Sequence, residues 1–188
     1  MRGLPKHTRD FRRLISYHEA GHAVVARKVG IEVLSIDMIA GDNGSLASVA
    51  TRSAYREAVE RRVDLTALTR GLYADAMAAL AGPAAGEMAG YPINHGGFDF
   101  QSAFSSVVAQ ARIEAGLSLD YKELTLDPGN PVRVAANAIM ERAWTETIAL
   151  LQGNWQAVVR VAGALRKCDR LTQAELDRVI AHGQRGRQ

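Results

Sequence analysis

Residues 17–28 read YHEAGHAVVARK. Two of the chain's five histidines, His18 and His22, stand four apart, and Glu19 directly follows the first. On an α-helix, residues four apart lie one turn along and about 40° around the axis, so both imidazoles can reach one metal ion. Glu19 projects from a neighbouring part of the surface, where it can approach water at the metal without displacing a ligand. This is the HExxH arrangement of zinc hydrolases. Zinc lowers the pKa of water to about 7 and polarises a carbonyl, while a carboxylate at Glu19 takes up a proton and delivers it to a leaving amine. The expected chemistry is hydrolysis at Zn²⁺, with His18 and His22 as ligands and Glu19 as the catalytic base.

Catalytic zinc takes three protein ligands and keeps one position open, so a third must come from elsewhere in the chain. The candidates are Asp99, His95, Glu87 and Asp42. Asp99 stands at a loop-to-helix junction after GGF, where it can also serve simply as a helix cap. His95 lies in a glycine-rich loop, Glu87 on an alanine-rich helical stretch and Asp42 in a turn. Position alone does not choose among them.

The elements that would present these residues follow from periodicity. Residues 10–29 have helical spacing, with Phe11, Leu14, Ile15, Val25, Ala26 and Val29 on one side. Asp10 can cap this helix and Gly30 can end it, and Arg27 and Lys28 suit the negative end of its dipole. Gly21 inside it costs about 1 kcal/mol relative to alanine, which points to close backbone packing or room for substrate. Leu34, Ile36 and Met38 alternate with Ser35 and Asp37 in a half-buried strand. GDNG at 41–44 turns the chain into a second strand, giving a hairpin. A helical pattern over 65–89 is expected to kink or divide at Pro83. Further helices are expected from Asp99 onward, with Phe100, Phe104, Val107, Val108 and Ala111 facing inward, and over 131–152 and 154–167. A last helix opens with Thr172-Gln173-Ala174-Glu175, a capping-box sequence. The predicted fold is α+β: mainly helical with a small β-hairpin or sheet, a zincin-like HExxH helix and a C-terminal helical bundle. It reads as one domain over 1–188, made of a basic extension (1–9), a metal-site half (10–115) and a bundle (131–183).

Composition limits the alternatives. In 188 residues, 47% are hydrophobic and 23% charged, as in an ordinary globular protein with a real core. One cysteine, Cys168, excludes an internal disulfide framework and a thiolate-rich zinc cluster. No apolar run approaches the roughly 20 residues that span a bilayer, and the basic N-terminus lacks a signal-peptide core, so a cytoplasmic protein without membrane contact is expected. Net charge is +3 with basic residues at both ends. Only Phe11 is interleaved with them, too little for a stacking surface, so nucleic acid is not an expected partner.

The quoted stretches resemble a known family. YHEAGHAVVA resembles the motif that opens the peptidase domain of the FtsH-type ATP-dependent zinc metalloproteases. NHGGFDFQSA resembles that family's segment carrying a distant aspartate ligand, and Asp99 lies 77 residues beyond His22. LAGPAAGEMAGY resembles the helix before it, and 131–180, ending in Leu171, Thr172, Glu175 and Leu176, resembles the closing helices. The resemblance implies zinc bound by His18, His22 and Asp99 with Glu19 as base. It also implies an edge strand at 46–52, including Leu46, Ala47, Ser48, Val49 and Ala50, to which an extended peptide adds by main-chain hydrogen bonds. The chain departs from the family in having no Walker-type sequence and no membrane anchor. Pro83 replaces an arginine and Phe98 an asparagine. The expected activity is a stand-alone zinc endopeptidase acting on unfolded or flexible polypeptide, broad or narrow in specificity, with a separate ATPase motor and an oligomer as conceivable partners. The alternative is a non-catalytic peptide-binding or regulatory module that keeps the fold.

Overall fold

The computed structural model describes residues 6–38, 47–91, 97–119 and 127–181, and its first element is the helix that carries the histidines. Helix α1 spans Lys6–Lys28, four residues earlier than periodicity predicts. Asp10 is thus inside the helix and does not cap it. The proline that precedes Lys6 in the sequence suits a helix start, which apolar periodicity does not register. The far end is as expected. Gly30 adopts φ +86°, and Ile31 N donates to Ala26 O at 2.8 Å, the six-residue closure of a helix stopped by a left-handed glycine. The apolar stripe is wider than predicted at this end and weaker at the other. Residues 16–26 are buried apart from His18 and His22, whereas Phe11 is exposed.

Strands β1 (Glu32–Asp37) and β2 (Ser48–Arg52) pair antiparallel, as expected of the hairpin. The predicted alternation fails at Leu34. The register shifts between Val33 and Ser35, leaving Leu34 as an extra residue turned to solvent while Val33, Ser35 and Ile36 are buried. A bulge of this kind reverses which face the following residues take. A third strand pairs with the other edge of β1, so the order is β2-β1-β3 and β2 is an edge strand.

The short helix α2 (Ala54–Glu60) was not expected from periodicity. Its start is held by Ser53 and by Asp75 of the next helix, which accepts from the backbone of Ala54 and Tyr55 at 2.9 and 3.1 Å. Helix α3 (Leu65–Met88) begins at Asp64, whose side chain accepts from Ala67 N. It continues through Pro83 instead of dividing there. Proline removes one N–H from the ladder, but Ala81, Gly82, Ala84 and Ala85 around it are buried, and this packing holds the helix together. Helix α4 spans Gly97–Glu114, α5 Pro131–Gly153 and α6 Trp155–Leu165. After β3 (Arg170–Thr172), α7 spans Gln173–Ala181. Half of the predicted capping box forms: Glu175 reaches back to Thr172 N at 2.8 Å, and the Thr172 hydroxyl donates to the same carboxylate.

The fold is α+β, mainly helical with a small antiparallel sheet. The expected halves share one core. α1 lies on α3 and α6, while α3, α4 and α5 pack against one another, and residues from all of these join a single buried cluster. A methyl group on Gly21 would strike the Ala81 carbonyl and come 2.5 Å from Ala85 Cβ, so Gly21 serves close packing of α1 on α3. Tyr17 stacks on Trp155 at 5.8 Å, and Arg12 donates to the Leu165 and Cys168 carbonyls, tying α1 to the end of α6. No helix among the described residues is long and apolar enough to cross a membrane.

Candidate metal centre

Helical spacing brings His18 and His22 together on α1, with their Nε2 atoms 3.0 Å apart and their rings edge to face. Asp99 approaches them from the first turn of α4. It is the third residue of that helix, so it does not act as the cap that its position suggested. Its Oδ2 lies 3.0 Å from His18 Nε2 and its Oδ1 3.6 Å from His22 Nε2. Tetrahedral zinc with bonds of about 2.0–2.2 Å sets its ligands about 3.3–3.6 Å apart. The two 3.0 Å separations here are a few tenths of an ångström shorter than that and the 3.6 Å one matches it, so two imidazole nitrogens and a carboxylate can close on such an ion after a small outward shift. Among the described residues these three form the one group of histidine, cysteine and carboxylate side chains close enough to share an ion.

Neighbouring groups fix the donors. A carbonyl can only accept, so the 2.7 Å contact of His22 Nδ1 with Ala78 O places a proton on Nδ1 and turns Nε2 towards the site. The ring lies over Gly82, where a methyl group would fall 2.6 Å from both Cδ2 and Cε1 and nearer still to Nε2. Sequence reading missed both contributions from α3. A glycine within an alanine-rich helix was the available signal for Gly82, since that choice costs about 1 kcal/mol. A backbone carbonyl leaves no signal in residue type.

The electrostatics are those of a buried, coupled cluster. Burial, the largest single influence, favours neutral imidazole at His22, but the Asp99 carboxylate facing its Nε2, the charges of Glu19 and Asp99 and the Ala78 carbonyl together outweigh it and raise its pKa to about 9. Burial opposes charge on Asp99 as well, yet its hydrogen bonds to His18 and His22 hold the carboxyl well below the usual range. Glu19 is 7% exposed. Its burial raises the carboxyl pKa, against the pull of His22 and His18 and with a further push from Asp99. Glu19 is therefore within electrostatic reach of all three donors, and its environment favours taking up a proton.

Of the other candidate ligands, only Glu87 lies among the described residues. Glu87 is exposed near the end of α3 and does not join the group. His95, Asp42 and Leu46 lie outside the described residues. Ala47 precedes β2, and Ser48, Val49 and Ala50 lie on that edge strand, paired on one side with β1. No protein-family model and no curated protein matches this chain.

Proposed function

We propose that the chain is a zinc-dependent endopeptidase that hydrolyses peptide bonds in unfolded or flexible polypeptide, a relative of the FtsH-type peptidase domain. The observation that carries this reading is the convergence of His18, His22 and Asp99 beside a buried glutamate. A purely structural zinc has no use for such a base. Zinc held by the three side chains supplies Lewis-acid chemistry, acidifying water and polarising a carbonyl. His18 and His22 present Nε2, with His22 held in that tautomer by Ala78 O. Asp99 supplies the anionic donor and spans both rings with its two oxygens. Glu19 accepts a proton from water at its carboxylate and returns it to the departing amine, a transfer that its raised pKa assists. A substrate strand can add by main-chain hydrogen bonds to the edge of β2 away from β1, at Ser48–Ala50, which pairs with no other strand among the described residues.

The test combines metal content with turnover. The purified chain is expected to hold one zinc and to cleave an unfolded protein. Glu19→Gln should keep the zinc and lose at least about 100-fold in rate, the low end of what general-base catalysis contributes. A zinc-loaded protein that cleaves no unfolded protein or peptide library, or a Glu19→Gln variant as active as the parent, overturns the reading.

A further inference from the structure

Helix α4 carries three phenylalanines that are treated differently. Phe100 leans on Trp144 with ring centroids 5.8 Å apart, and Phe104 packs against the core. Phe98 is 88% exposed, more than any other large hydrophobic residue described, and takes no part in the core. It directly precedes Asp99, whose carboxylate meets His18 at 3.0 Å. Consecutive side chains on a helix diverge by about 100° and rise by about 1.5 Å. With Asp99 turned to the histidines, Phe98 stands at the flank of the centre.

The centre itself is accessible only in part. The side chains of His18 and His22 retain 19% and 14% exposure in a stretch of α1 where every other residue from 16 to 26 is buried, and Asp99 on α4 retains 25%. Any polypeptide that brings a carbonyl to these donors must come to their open side, beside the first turn of α4. An aromatic ring left in water there is an apolar surface that an incoming apolar side chain would cover.

We infer that Phe98 is a specificity-determining residue: its ring takes the large apolar side chain of a substrate residue next to the bond being cleaved. This rests on the peptidase reading above. The preferred substrates are then flexible segments carrying Leu, Phe or Met beside the cleaved bond, side chains that a folded protein hides, and segments of glycine, serine or charge are poor ones.

Two measurements test this. The first is cleavage of a positional-scanning library of fluorogenic peptides by the zinc-loaded protein. Phe98→Ala is expected to keep its zinc and to lose about tenfold or more in kcat/KM for peptides with a large apolar residue beside the cleaved bond. Glycine and serine peptides should be unchanged, and Phe98→Leu should retain most of the preference. The second is fluorescence anisotropy in the Glu19→Gln background. The probes are a labelled Gly/Ser/Lys peptide with one central Phe and its Ser counterpart. The Phe peptide should bind more tightly, and Phe98→Ala should erase that difference. A Phe98→Ala variant with full zinc, the parental cleavage pattern and the parental binding preference overturns the inference, as does one that slows every peptide equally. Absence of cleavage by the parent protein overturns the peptidase reading. The anisotropy then decides on Phe98 alone: loss of the Phe preference in Phe98→Ala supports the contact, and an unchanged preference removes it.

Discussion

Two imidazoles and a carboxylate 3.0–3.6 Å apart need something positive among them, and in the absence of a cation a proton serves. His22, with its pKa raised to about 9, is protonated at neutral pH in protein stripped of metal. Zinc requires neutral imidazole, so binding expels that proton. Affinity should therefore rise about tenfold per pH unit between roughly 6.5 and 9 and level off above, because one proton is displaced. Titration calorimetry in buffers of different ionisation enthalpy measures the proton released. The sign for stability is opposite. A raised folded-state pKa contributes stability that is complete below the ordinary histidine value and is lost as pH rises through about 9. Chelator-treated protein should thus melt at lower temperature at pH 9 than at pH 6.5. Gly82 acts on the same ring by geometry. Gly82→Ala puts a methyl group against His22 Cδ2 and Cε1, so the ring must turn away and break its contact with Ala78 O. Zinc affinity should fall at least about tenfold, the lower range for lost support of a ligand, with helix content retained by circular dichroism.

At the scale of elements, α1 and α3 form one unit because both offer small residues at their contact. Gly21→Ala drives a methyl group into the Ala81 carbonyl and Ala85. Overpacking of this kind costs about 1–3 kcal/mol, which in a chain of this length lowers Tm by roughly 2–4 °C per kcal/mol, measurable by calorimetry. What could be read in the sequence divides along the same line of local against distant. The HExxH turn is legible because a four-residue spacing fixes its geometry. Gly30 ends α1 as its type predicts, because short-range chemistry decides there. The meeting of Asp99 with α1 is not local. It depends on how α3 and α4 pack, and residue type alone left it beside His95, Glu87 and Asp42. Leu34 was misplaced because alternation presumes an unbroken register and β1 has a bulge. β3 was missed because three residues carry no period, and it is a strand because β1 offers a free edge. Continuity of α3 at Pro83 reflects burial against its neighbours, a tertiary effect that outweighs propensity.

At the scale of the whole molecule, the donors of the centre come from two helices far apart in the sequence, with Asp99 77 residues beyond His22. An ion held between α1 and α4 closes that long loop in the folded state only, so it should act as a staple as well as a cofactor. A ligand that binds only the native state adds RT ln(1 + [L]/Kd), about 2.7 kcal/mol at a hundredfold excess over Kd. The expected result is a Tm that rises with free zinc and falls on chelation. The loss should be local before it is global. The first turn of α4 meets α1 through Asp99, whereas α6 is joined to α1 by Tyr17 on Trp155 and by Arg12 on the Leu165 and Cys168 carbonyls, none of which involves the metal. Hydrogen exchange should therefore show chelation deprotecting the start of α4 well before the α1–α6 contact. Asp99→Ala leaves both histidines but removes the ligand that bridges the helices. It should abolish the zinc-dependent gain in Tm and leave the start of α4 equally deprotected with and without zinc. An Asp99→Ala protein whose Tm still climbs with zinc as the parent's does would place the stapling ion elsewhere.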